Sequence, residues 1–144
     1  PLSSLSPGLH TLKVIAWDLA NNPAEAYLEF FVIDSDGPIL KNLFNFPNPF
    51  SEETFFQFEH NRPGVTMDMD LDIFDLSGRR VKNISLDGYV SDGYRIADLY
   101  WDGLNEAGVE VTPGMYVFEL KIVYKTNGDT ETIESDVEKL VILR

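Results

Sequence analysis

The sequence predicts an all-β fold: an immunoglobulin-like antiparallel β-sandwich, preceded by a β-hairpin left over from an upstream sandwich domain. Apolar residues recur with a period of two and almost never with the period of a helix. Clusters of Gly, Pro and Asn punctuate them at the spacing of a sandwich, and roughly seven such runs fall within about a hundred residues after Gly37.

The first run, His10 to Trp17, sets Leu12, Val14 and Ala16 on one face, and Tyr27 to Val32 does the same with Leu28, Phe30 and Val32. Asp18 to Pro23 joins them as a hairpin connection, with Asn21 and Asn22 suited to turn geometry. Two strands alone bury too little surface to be stable. Residues 1–36 are therefore expected to be the last hairpin of an incomplete upstream domain, with the boundary at Asp34-Ser35-Asp36-Gly37-Pro38. The start at Pro1, already in mid-pattern, is expected to mark a piece of a longer protein with any export signal upstream.

Residues 37–144 are expected to form the complete sandwich. Ile39 to Phe46 leads through Pro47-Asn48-Pro49-Phe50 into Thr54 to Glu59, where Phe56 and Phe58 share a face. In Met67 to Ile73 every apolar residue points one way and Asp68, Asp70 and Asp72 the other, as in a sheet with one dry and one wet face. Ser77-Gly78 turns the chain into Arg80 to Leu86, and the Gly- and Asp-rich stretch Asp87 to Gly93 reads as a loop before Ile96 to Trp101. Asp102-Gly103 and Glu106-Ala107-Gly108 supply turns, and Pro113-Gly114 opens a long central strand, Met115 to Lys125. Asn127-Gly128 then returns the backbone into a final strand, Thr130 to Leu143.

Composition narrows the function. A net charge of -13, spread along the chain, repels phosphate backbones and anionic headgroups, so neither nucleic acid nor a membrane surface is an expected partner. The absence of cysteine removes disulfides, thiolate metal sites and thiol nucleophiles. No apolar run approaches the roughly 20 residues of a membrane helix, and direct insertion is not expected.

Catalytic chemistry has few places to sit. His10 and His60 are the histidines, each on or beside an expected strand in a separate unit, and neither accompanies a nucleophile elbow or a phosphate-cradling loop. His60 reads as a satisfied structural histidine, and no catalytic, cofactor-binding or metal-binding residue is assigned. Asp68, Asp70 and Asp72 lie on an extended segment without the tight Gly-containing turn of a calcium loop. Asp92, Asp98, Asp102 and Asn105 are better placed in loops, but Asp-Gly turns explain most of them. Trp17, Tyr89, Tyr94, Tyr100 and Trp101 could stack on sugars, although aromatics in strands usually pack in the core or across strands.

The order of the punctuation is more specific than any one residue. Phe46-Pro47-Asn48-Pro49-Phe50, Leu71-Asp72-Ile73-Phe74-Asp75-Leu76-Ser77-Gly78-Arg79-Arg80-Val81, Trp101-Asp102-Gly103 before Gly108, Pro113-Gly114-Met115-Tyr116 and Lys139-Leu140-Val141-Ile142-Leu143-Arg144 follow one another from residue 39 to residue 144. Together they resemble the C-terminal sorting domain of the type IX secretion system of Bacteroidota. Leu9-His10-Thr11-Leu12-Lys13-Val14-Ile15-Ala16-Trp17-Asp18, Asn21-Asn22, Phe30-Phe31-Val32 and Phe56-Gln57-Phe58-Glu59-His60-Asn61 are similar, more narrowly, to the tail of that system's surface sortases, gingipain-like cysteine peptidases.

The resemblance implies a non-catalytic domain that addresses its parent protein to the cell surface and, in a sortase, docks it on the outer-membrane barrel protein PorV or another component of the system. The alternatives are a sorting domain cleaved from an ordinary cargo protein, or a carbohydrate-binding accessory β-sandwich. The expected contact residues are Pro47, Asn48, Pro49 and Phe50, then Gly114 and Tyr116, and finally Lys139, Leu140, Val141, Ile142, Leu143 and Arg144. A chain-terminal strand at a sheet edge offers a receptor both a ladder to pair with and alternate side chains to read. Deleting the last six residues is expected to abolish delivery while sparing most of the fold.

Overall fold

In a computed structural model the chain is described over residues 8–32 and 37–144, and no helix occurs among them. It divides between Gly37 and Pro38 into two compact units. Asp34 to Asp36, the first three residues of the expected linker, lie outside the described residues.

The first unit is an antiparallel hairpin of β1 (Gly8–Trp17) and β2 (Pro23–Val32), in unbroken register from Gly8↔Val32 to Trp17↔Pro23. β2 starts earlier than the expected Tyr27 because Ala24 and Ala26 pair with Ala16 and Val14 and prolong the apolar face. The opposite face carries the Lys13–Glu25 ion pair at 2.8 Å and sets the Lys13 ammonium over the Tyr27 ring. Leu12, Val14 and Leu28 remain about half exposed.

The second unit is a β-sandwich of two antiparallel sheets. Its strands are β3 (Leu40–Phe46), β4 (Thr54–His60), β5 (Thr66–Phe74), β6 (Arg80–Val90), β7 (Arg95–Trp101), β8 (Gly114–Thr126), β9 (Asp129–Glu134) and β10 (Glu138–Ile142). One sheet runs β10-β8-β5-β6 with β9 also on β8, and the other runs β3-β4-β7. The core lies between them: Met67, Met69, Leu71 and Ile73 of β5 are wholly buried, and Phe56 of β4 meets Phe118 of β8 edge to face at 4.9 Å. On the opposite face of β5, Asp68 pairs with Lys125, Asp70 accepts from Ser85 Oγ, and Asp72 accepts from Asn83 Nδ2 at 2.8 Å. The Lys125 bond, first, and the Gly88 N–H hold the Asp68 carboxyl below its usual range.

In the second unit, bulges interrupt the plain alternation, because one extra residue moves every later side chain to the other face. The expected strand Thr130–Leu143 is two strands on one edge of β8. Glu134 pairs with Lys121 and Glu138 with Phe118, leaving Ser135, Asp136 and Val137 opposite only Glu119 and Leu120. Ser135 fills the break: its N–H donates to the Leu120 carbonyl and its Oγ accepts from the Leu120 N–H, both at 2.8 Å. Ile133, Leu140 and Ile142 can then all turn to the core. Likewise the expected loop at Asp87 begins as strand, because Asp87-Gly88 bulges against Asp68 and returns Tyr89 to the side of Leu86. Gly88, at φ +66°, makes this possible. In β7, Ala97-Asp98 bulges against Gln57 so that Ile96, Leu99 and Trp101 all face inward.

Three connections share one construction. Asp18, Asp75 and Asn105 each accept, through Oδ1, the N–H groups two and four residues on, and the fourth residue of each loop (Asn21, Gly78, Gly108) has positive φ. A short side-chain acceptor followed by a residue that tolerates the left-handed region is what such a turn requires.

Candidate docking site around the terminal strand

Four of the motifs, far apart in sequence, meet at one end of the sandwich. β10 pairs with the start of β8, Leu140 opposite Tyr116 and Ile142 opposite Gly114. Its outer edge is covered by the Pro47–Phe50 segment, in which the Phe46-Pro47 and Asn48-Pro49 peptide bonds are cis. The Asn48 amide imitates a strand residue, with Nδ2 donating to the Lys139 carbonyl (3.2 Å) and Oδ1 accepting from the Val141 N–H (3.0 Å). The Phe50 N–H then donates to the Val141 carbonyl and the Leu143 N–H to the Phe50 carbonyl. Asn45 and Thr54, both buried, hold the segment by donating to the Pro47 carbonyl.

Trp101 is the centre of this end. It is 1% exposed, packs edge-on to Phe50 at 5.6 Å and to Tyr116 at 6.3 Å, and donates its indole N–H to the Leu104 carbonyl. The Tyr116 hydroxyl donates to the Thr112 carbonyl at 2.6 Å. Arg144 closes the assembly, its guanidinium donating to the carbonyls of Val111 (2.8 Å), Gly103 (3.1 Å) and Ser51 (3.2 Å), with Glu110 at 3.6 Å. A cleft of about 470 Å³ opens beside it, lined by Arg79, Arg80, Glu106, Glu110, Thr112 and Tyr116.

Gly103 explains why Trp-Asp-Gly and a terminal arginine occur together. Its φ is +72°, and a Cβ there would fall on Arg144 Nη2. The guanidinium can swing away, so Gly103→Ala is expected to lose the Arg144 bonds besides about 1–2 kcal/mol of backbone preference. Because both variants lose those bonds, Gly103→Ala combined with Arg144→Ala should cost clearly less than the sum of the single changes in urea unfolding. Additive losses would show that Arg144 does not depend on Gly103.

The structure brings the expected contact residues together and divides them. Phe50, Tyr116, Leu140 and Ile142 are core, whereas Pro47, Asn48, Pro49, Gly114, Lys139 and Leu143 face outward, with Val141 half-buried. The expected free edge of the terminal strand is not met, because Asn48 and Phe50 already take the outward backbone groups of Lys139, Val141 and Leu143. What remains open there is side chains. Trp101, Gly103, Val111 and Ser51 belong to the assembly but were not among the expected contacts.

The other candidates separate. His60 is buried; its Nδ1 accepts from the Arg62 N–H and Nε2 donates to the Gly93 carbonyl, so the neutral ring is the one that fits. Burial, outweighing the Gly93 bond, holds its pKa below the ordinary histidine value. The unfolded chain thus binds the proton more readily. Stability from this group is complete above the ordinary value, about 6.5, and falls as pH drops from there toward the folded value. Urea midpoints measured from pH 7.5 to pH 5 should therefore decline, and His60→Gln should flatten that decline even if its absolute stability is lower. An equally steep decline in the variant would remove His60 as its source.

Trp101 is in the core, as strand aromatics usually are, so the five aromatics that could stack on sugars do not form one surface set. Asp98 accepts from the Tyr89 hydroxyl, and this bond, then partial burial, pushes the tyrosine pKa up to about 12. Asp102 accepts from the Leu104 N–H and Asn105 from its own loop. Among the described residues no group of three His, Asp or Glu side chains is placed to hold a metal ion.

No family model matches the chain, and no curated protein matches its sequence. Among solved structures it is similar to the crystal structure of dimeric latent PorU from Porphyromonas gingivalis, with 27% identity and a TM-score of 0.61 over 96% of this chain. The chain spans 12% of the length of that PorU chain. The chain is thus similar, in fold and in aligned sequence, to one part of PorU.

Proposed function

We propose that this chain is the non-catalytic C-terminal domain of a PorU-type sortase, which directs its parent through the type IX secretion system and docks it at the outer-membrane surface on the barrel protein PorV. The likeness to PorU along nearly the whole chain carries this reading. The gathering of the motifs around β10 adds to it, since such motifs are what the sorting-domain resemblance rests on. The parent's peptidase chemistry belongs to other parts of that longer protein, and the acidic surface suits an exported domain kept soluble until it meets its partner. Cleavage after export, as for a cargo protein, is the second outcome that the same motifs allow.

Binding tests the docking step. The 144-residue chain, immobilised, is expected to retain PorV purified in detergent and to ignore an unrelated outer-membrane barrel. Equal retention of both barrels, or of neither, would count against PorV as the partner.

A further inference from the structure

The outer face of the three-stranded sheet is unusually aromatic. Phe46, Phe55 and Tyr100 stand in one row across β3, β4 and β7, paired Phe46↔Phe55 and Phe55↔Tyr100, with Phe44 on β3 beside them. They are 65%, 39%, 44% and 48% exposed, and the Phe55 and Tyr100 rings pack at 5.4 Å. Away from this row the same face becomes polar: Asn42 donates to Glu59, which also faces Arg95. A cluster of large apolar side chains on one patch of a soluble domain marks an interaction surface, and aromatic residues are the side chains that concentrate binding energy.

We propose that this aromatic row docks a protein surface that is aliphatic at its centre and rimmed by lysine or arginine. The row's own rim is negative. Glu52 and Glu53 lie exposed just before β4, and Asp102 follows β7. The Tyr100 hydroxyl senses this rim: partial desolvation first, then its hydrogen bond to Glu53 and the charges of Glu53 and Asp102, hold its pKa above the ordinary value. Negative groups around an apolar centre select a partner with basic groups around an apolar centre, and speed their encounter. A polysaccharide fits less well. The Phe55 and Tyr100 planes are tilted by 51° and offer no flat platform.

The row leads directly into Pro47-Asn48-Pro49, so it continues the surface on which the proposed docking rests. This inference depends on that reading, and PorV is accordingly the partner to use. With the full chain and PorV in detergent, Phe46→Ser/Phe55→Ser should weaken binding at least tenfold without shifting the CD spectrum, while Leu76→Ser/Val90→Ser, exposed on other elements, should leave it unchanged. Glu52→Lys/Glu53→Lys should slow association several-fold at low salt, which keeps the test open if the phenylalanine variant misfolds. Wild-type affinity in both the aromatic and the charge variants would overturn the aromatic site and leave PorV docking standing. No binding by the wild-type chain would remove the docking reading and this site with it. Loss of affinity for a soluble polysaccharide panel instead of PorV would overturn the protein partner in favour of a glycan.

Discussion

A chain ending at Glu138 is expected not to fold its second unit. The deletion removes Leu140 and Ile142, which are 0% and 1% exposed, and uncovers Phe50, Tyr116 and Phe118 beneath them. Emptying two such sites costs about 4–10 kcal/mol, against a total domain stability of about 5–15 kcal/mol. The same cut removes the backbone partners of Asn48 and Phe50 and the Arg144 bonds to three carbonyls. Urea titration followed by CD should show no cooperative transition for the truncated chain. A transition near the wild-type midpoint would mean that β10 is an attachment rather than part of the core. The expectation that such a deletion spares most of the fold is therefore replaced: lost delivery after this cut would not separate folding from docking. Leu143→Ser, at an exposed position, does separate them.

Trp101→Ala is expected to be the most damaging single substitution, at about 3–5 kcal/mol. The cavity would open between Phe50 and Tyr116, which approach the indole from two sides, and the Leu104 carbonyl would lose its donor. Trp101→Phe should recover part of the loss by refilling the space without restoring the hydrogen bond. Urea midpoints of the two variants measure this directly, and equal midpoints would show that the indole volume is not what holds the end together.

The fold was legible where alternation is unbroken. Met67 to Ile73 declares its dry and wet faces in the sequence, and so does Tyr116 to Tyr124. It was misread where a bulge changes parity: Ile133 is odd and Leu140 even, Leu86 even and Tyr89 odd, and each pair marks an extra residue that can be found by requiring every large apolar side chain to reach one core. The repeated loop, Asp-Leu-Ala-Asn, Asp-Leu-Ser-Gly and Asn-Glu-Ala-Gly, emerges only from its shared hydrogen bonds, because its three copies have little sequence in common. The site was half legible. Motif order pointed to Pro47–Phe50, Gly114, Tyr116 and Lys139–Arg144, yet spacing alone says nothing about which residues face the core. That Gly103 leaves room for Arg144 depends on the approach of segments some forty positions apart, which no local pattern records. The aromatic row hid for the same reason: Phe46, Phe55 and Tyr100 come from three strands and become neighbours only through register.

Fusing residues 1–144 to the end of a periplasm-targeted reporter in a type IX-competent cell, with and without PorV, tests the central claim most directly. Surface labelling and size on a blot are the readouts. The account predicts PorV-dependent arrival at the surface with the fused domain retained. Confinement to the periplasm, or surface arrival that is the same without PorV, would contradict it, and arrival with the domain removed would move the chain to the cleaved-cargo class.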